Sequence, residues 1–143
     1  MTALYFAYGS NLKLARMRER VPSTRVVAPA WLEEFRLALD KRGGDGSGKA
    51  NLVRKAGSRV WGVVYAFESG AWEALDAHER GYERIAVAVA AEGRRLEAQT
   101  YVALLPTGDP VAFDWYKRLI LEGAREHGLP AEWLAVLEAL PGR

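Results

Sequence analysis

Apolar residues fill positions 3–8 (ALYFAY) and the run stops at Gly9, which reads as a short strand ending in a turn. Beyond it Leu14, Met17 and Val21 recur at helical spacing, so a helix is expected over about residues 12–21, stopped by Pro22. Residues 24–32 (TRVVAPAWL) read as extended and interrupted by Pro29. In residues 34–41 (EFRLALDK), Phe35, Leu37 and Leu39 alternate with polar neighbours, which is strand spacing. The glycine-rich stretch 43–48 (GGDGSG) reads as a mobile loop. Two more strands are expected at 50–55 (ANLVRK) and 59–67 (RVWGVVYAF); the second is nearly continuous in apolar residues and so belongs at the centre of a sheet.

The pattern then changes period. A short helix is expected over 70–80, with Ser69 as its N-cap and Gly81 as its stop. Residues 84–91 (RIAVAVAA) and 95–104 (RLEAQTYVAL) read as a hairpin around EGR. After a loop at 105–110 (LPTGDP), a helix is expected over 111–127, ended by Gly128, and Pro130 opens a last one at 131–140 (AEWLAVLEAL). About six strands and four helices, with the strands mostly consecutive, indicate an α+β fold: a curved sheet or barrel with flanking helices.

Composition narrows the class. The 143 residues suit one domain spanning 1–143, and half of them are apolar, enough for one sizeable core. The absence of cysteine excludes disulfides and thiolate metal sites. The N-terminal apolar stretch is short and lacks a basic leader, and no run nears the roughly 18 residues of a membrane span. A soluble, cytoplasmic protein is therefore expected. Net charge is +2, with basic and acidic residues interleaved, as in RMRER and HERGYER, so no nucleic-acid surface is indicated. Asparagine occurs twice and glutamine once, a depletion that fits a thermophilic host or a GC-rich genome and makes Asn11 conspicuous.

Two stretches could carry chemistry. In YGSNL a strand turns through Gly9, Ser10 and Asn11 into a helix, which would leave backbone N–H groups free to bind an anion. Gly9 allows close backbone approach, Ser10 adds a hydroxyl, and Asn11 can cap the helix or hold the loop; a plain capped helix would read the same way. In AWEALDAHERG, Trp72, Leu75 and Glu79 fall at i, i+3 and i+7, which places a carboxylate on an apolar face. Desolvation there would raise its pKa toward the range of a general base; an ion pair with Arg80 or Arg84 is the structural alternative. His78 and His127 are far apart, so no metal site is expected. Ser10 has no evident histidine partner, and the 43–48 loop lacks the Gly-Lys-Ser/Thr ending of a phosphate loop. Tyr5, Tyr8, Tyr82, Tyr101 and Tyr116 read by default as core or rim aromatics.

Taken together, and in this order, these stretches resemble the γ-glutamylcyclotransferase-like family. YFAYGSNL resembles its signature loop, VWGVVYAF…LDAHE resembles the strand and helix that carry its acidic residue, and residues 110–137 are similar to the C-terminal segment of its glutathione-metabolism branch. The resemblance implies a small, mixed, barrel-like sheet with helices around it. It implies conversion of a γ-glutamyl amino acid or related conjugate to 5-oxoproline with release of the amine. It assigns Glu79 as the acid/base residue and the 8–12 loop (Tyr8, Gly9, Ser10, Asn11, Leu12) to the glutamyl α-carboxylate, with Tyr82 and Tyr116 lining the pocket. No cofactor or metal is implied; the partner is the small γ-glutamyl substrate, with no nucleic acid or membrane, and a homodimer is left open. Two rivals stand beside this reading: a cyclotransferase for γ-glutamyl amines, isopeptides or a biosynthetic intermediate, and a non-catalytic anion-binding module. One departure concerns the acid itself, which is followed by Arg80 where the family often has glycine.

Overall fold

The computed structural model describes residues 1–106 and 111–143. Its strands are β1 (Thr2–Ala7), β2 (Arg25–Arg42), β3 (Gly48–Glu68), β4 (Tyr82–Ala91) and β5 (Arg94–Ala103), and its helices are α1 (Leu14–Arg20), α2 (Trp72–His78), α3 (Asp114–Glu126) and α4 (Ala131–Glu138). Single 3-10 turns, Ser10–Leu12 and Ser69–Ala71, precede α1 and α2. The strands close into a barrel in the order β1-β3-β2-β4-β5. Closure is made by the parallel pair β1·β5, where Tyr5 stands opposite Gln99; the other pairs are antiparallel. The fold is thus the mixed α+β barrel with flanking helices that the sequence indicates.

There are five strands rather than about six because two long ones carry internal kinks that mimic ends. In β2 the register slips between Glu33 and Phe35, where Glu34 takes a positive φ of 70°. Opposite it, β3 pairs Arg54 with Phe35 and Arg59 with Glu33, so residues 55–58 bulge out around Gly57. Pairing resumes on both sides, which makes each kink a bulge within one strand. The apolar half of β3 lies between β1 and β2, with Val60, Val63, Val64 and Tyr65 fully buried, as its composition indicates.

The ends of the helices shift for local reasons. The 3-10 turn consumes residues 10–12, so α1 starts at Leu14. Ala112 bridges to Gly142, which holds Phe113 extended and delays α3 to Asp114. Ser69 makes no capping hydrogen bond; it opens a 3-10 turn, and α2 has ended by Glu79. The 43–48 stretch, expected as a loop, folds into a turn with its own hydrogen bonds: Gly43 N–H donates to Ser47 O (2.9 Å), and Asp45 accepts both the N–H (3.0 Å) and the hydroxyl (2.6 Å) of Ser47. Those bonds pull the Asp45 carboxyl down to about 2. Of the expected 105–110 loop, residues 107–110 lie outside the described ones. Among the described residues, no helix is long and apolar enough to cross a membrane.

Two packing contacts set up the pocket. Trp72 meets Phe67 edge-on at 4.8 Å and Tyr5 at 6.0 Å, which seats α2 against the barrel. Gly123 of α3 lies against the 10–12 turn so closely that a Cβ there would fall 2.6 Å from the Leu12 backbone. The helix can clamp the turn only because that position is glycine.

Candidate active site

Two neighbouring stretches of the chain and a third 59 positions further on deliver three polar side chains to one point. Trp72 and Leu75 point into the core, so the position one turn further along α2 faces the same way. That position is Glu79, just past the helix end, with its side chain only 13% exposed. The helix has closed before Gly81, which at φ 83° turns the chain into β4. From the turn after β1, Asn11 Nδ2 donates to Glu79 Oε1 at 2.9 Å and to the Tyr5 hydroxyl at 3.0 Å. From the end of α1, Arg20 Nη1 donates to Asn11 Oδ1 at 3.1 Å and to Glu79 Oε1 at 3.3 Å. A flipped amide would set Nδ2 against the guanidinium and Oδ1 against the carboxylate, so the neighbours fix the orientation of Asn11.

This corrects two expectations. Asn11 does not cap a helix: no side-chain cap bond is made at the start of the 3-10 turn or of α1. Glu79 pairs with Arg20, not with Arg80 or Arg84; Arg84 pairs with Asp76 instead, at 3.1 Å. Burial raises the pKa of Glu79, while Arg20 and the Asn11 hydrogen bond oppose the rise.

Glu79 opens into a cavity of about 40 Å³, lined also by Tyr5, Tyr8, Gly9, Ser10, Asn11, Ala50, Tyr82, Tyr101 and Tyr116. The backbone of Ala50 is gripped from both sides: Tyr116 Oη accepts its N–H (2.9 Å) and Tyr82 Oη donates to its carbonyl (2.6 Å). Tyr8 Oη donates to the Tyr101 carbonyl (2.5 Å), and Tyr101 Oη to Asp76 (2.6 Å). Burial raises every one of these phenols, Tyr116 to about 12, so all are neutral at physiological pH. The N–H groups of Gly9, Ser10 and Asn11 have no acceptor among the described residues, whereas those of Leu12 and Lys13 close the 3-10 turn. The expected anion loop is thus a turn of three residues rather than the start of a long helix.

Seven of the eight singled-out residues line this cavity: Tyr8, Gly9, Ser10, Asn11, Glu79, Tyr82 and Tyr116. Leu12 does not. It is fully buried beneath the turn, and its carbonyl accepts from Tyr65 Oη (2.8 Å) and lies 2.7 Å from His127 Nε2. Sequence reasoning did not single out Ala50 or Arg20, and Tyr5 and Tyr101, expected as core or rim aromatics and buried as such, line the cavity as well. Tyr5 shares a face of β1 with buried Ala3 and Ala7 and carried no polar signal. Arg20 stands 59 positions from its carboxylate, and nothing local marks it. Among the described residues, no group of three or more acidic, histidine or cysteine side chains could hold a metal.

Comparison with known proteins agrees with this architecture. Residues 5–118 match the family model described as gamma-glutamyl cyclotransferase, AIG2-like. A gamma-glutamylcyclotransferase of Homo sapiens is 35% identical over 96% of this chain and 78% of its own. A solved structure of a gamma-glutamyl cyclotransferase superposes with a TM-score of 0.91 at 30% identity, covering all of this chain and 90% of the other. A yeast gamma-glutamyl cyclotransferase specific to glutathione, at 14% identity and a TM-score of 0.60 over 95% of this chain and 93% of its own, shares the fold alone.

Proposed function

The chain belongs to the gamma-glutamyl cyclotransferase, AIG2-like family of enzymes, and from that premise we propose that it converts a γ-glutamyl conjugate to 5-oxoproline, releases the amine, and uses Glu79 as its acid/base. The observation that carries this is a buried carboxylate with a raised pKa, held between Asn11 and Arg20 at the wall of a tyrosine-lined pocket.

The chemistry asks for few parts. The substrate's own α-amine attacks its γ-carbonyl carbon; the new C–N bond closes a five-membered ring, and the old amide C–N bond breaks. Glu79 takes one proton from the glutamyl α-ammonium before attack, and the ring nitrogen sheds a second after it; the carboxylate relays both in turn to the departing nitrogen, which leaves as the ammonium, so Glu79 ends ionised as it began. Nucleophile and electrophile are already tethered, and orientation can supply about 7–11 kcal/mol of the barrier reduction. The unpaired N–H groups of Gly9, Ser10 and Asn11 suit the glutamyl α-carboxylate. The neutral phenols of Tyr82 and Tyr116, anchored on Ala50, give that end of the pocket a fixed shape. Leu12 supports the loop from beneath and touches no ligand in this reading. Action on free γ-glutamyl amino acids would make the enzyme a cytoplasmic step of glutathione-related metabolism.

Incubation with a γ-glutamyl dipeptide, with 5-oxoproline and free amine quantified, tests the proposal. Equimolar 5-oxoproline and amine from wild type, and a rate lower by about 10²–10⁴ from Glu79→Gln, are expected. No product from any γ-glutamyl dipeptide would overturn it in favour of a binding module.

A further inference from the structure

The inner cavity is too small for a whole γ-glutamyl conjugate. It holds about 40 Å³, where a single water takes about 10–15 Å³ on the same measure. A second, larger cleft of about 370 Å³ adjoins it and shares Ser10, Glu79, Tyr82 and Tyr116. If the glutamyl end is seated at the 9–11 turn and the scissile amide at Glu79, the part that departs extends into this cleft.

The cleft is strongly cationic: Arg16, Arg20, Lys41, Lys49 and Arg80 all line it. Arg20 is taken by Glu79, and Lys49 lies 3.5 Å from Asp45, a carboxylate already bonded twice by Ser47. Arg16, Lys41 and Arg80 pair with no carboxylate among the described residues. Lys41 and Lys49 lie over phenol rings, 5.1 Å from Tyr82 and 4.5 Å from Tyr116, so both ammonium groups are drawn to the pocket's own aromatics. Arg16 is the most telling. Its Nε is buried without a hydrogen-bond partner, and it follows the same helix face as Arg20, one turn earlier. Burial and the Arg20 charge make its protonated form costly as it stands. A half-buried guanidinium and an ammonium, neither paired with a carboxylate and both lining one cleft, are the complement of a carboxylate.

We propose that this cleft is the leaving-group subsite and that Arg16, supported by Lys41 and Lys49, selects γ-glutamyl conjugates whose departing amine carries carboxylate. The preference rises with each negative charge, so an acidic amino acid departs best and a neutral or cationic amine worst. The inference rests on the γ-glutamyl reading above and specifies which amine that reading leaves open.

The test compares γ-glutamyl-alaninamide, γ-glutamyl-alanine and γ-glutamyl-glutamate, whose departing groups carry no, one and two negative charges. In kcat/KM, read as 5-oxoproline formed, the first carboxylate should add about tenfold, chiefly through KM, and the second a further few-fold. Arg16→Gln should shrink the alanine-to-alaninamide ratio toward one, and Arg16→Lys should restore part of it. Any effect of Arg16 on the charge state of Glu79 acts on both substrates alike and cancels in the ratio. Should Arg16→Gln fail to fold by circular dichroism, Lys41→Gln gives the same ratio test. Equal kcat/KM for all three substrates, or an unchanged ratio in a folded variant, would overturn the inference while leaving the cyclotransferase reading intact. Where no product forms at all, that reading fails instead. Calorimetric Kd values for the same three compounds then decide the charge preference: a graded series upholds it and equal values sink it.

Discussion

In the inner pocket, the Glu79 carboxylate is met by Asn11 at 2.9 Å and Arg20 at 3.3 Å, and Asn11 is itself held through both ends of its amide. In the outer cleft, Arg16, Lys41 and Arg80 meet no carboxylate among the described residues. The two cavities share four residues, yet the carboxylate of the first is already paired, while three cations of the second are not. The difference separates two tasks. Groups that satisfy each other keep a fixed geometry and suit bond-making, whereas unpaired cations recover their desolvation cost only when a ligand brings charge. Substitutions in the pocket should therefore change turnover and its pH dependence, and substitutions in the cleft should change KM and selectivity.

The largest effect belongs to Glu79. Glu79→Gln keeps the shape and loses the proton acceptor, so kcat should fall by about 10²–10⁴, with the fold retained by circular dichroism. The same variant should change how stability varies with pH. A raised carboxyl pKa means that folding favours the protonated form. That contribution is complete below the ordinary glutamate value of about 4.3 and is lost as pH rises through the higher folded value. Urea denaturation of wild type should show stability declining across that window relative to Glu79→Gln.

Next comes Arg20. It is the foremost group holding the pKa of Glu79 down, so Arg20→Gln should push it further up. The acidic limb of kcat/KM should move by about one pH unit, which is about tenfold in rate on that limb, with recovery at higher pH. A uniform loss at every pH would instead assign Arg20 to substrate contact and blur the line between pocket and cleft. Smallest in activity is Gly123→Ala. It touches neither cavity but forces a Cβ into the Leu12 backbone, and should cost about 1–3 kcal/mol of stability in thermal unfolding.

Much of this arrangement was legible in the sequence, and the remainder failed for identifiable reasons. The buried placement of Glu79 was legible because Trp72 and Leu75 fix the face of α2 within two turns, a relation that local spacing encodes. The 8–11 loop was found because an apolar strand ending at glycine is a local pattern. The kinks at Glu34 and Gly57 were also visible, but as strand ends; only the resumed pairing across the barrel shows that they are bulges. Arg20 and Ala50 were invisible because their partners lie 59 and 32–66 positions away, and only barrel closure brings them together. The role of Asn11 was misjudged for the same reason. Its capping use is local and could be imagined, while its bond to Glu79 spans 68 positions.

That bond is where the central claim is most exposed. Asn11→Asp replaces a donor to Glu79 with a second carboxylate, which removes a lowering influence and adds a like charge, so both changes raise the Glu79 pKa. The decisive measurement is kcat/KM against pH for wild type and Asn11→Asp on one γ-glutamyl dipeptide. Wild type should show an acidic limb above the ordinary glutamate range, and Asn11→Asp the same limb displaced to higher pH by about one unit or more. An acidic limb at the same pH in both proteins would contradict the assignment of Glu79 as the base that Asn11 holds.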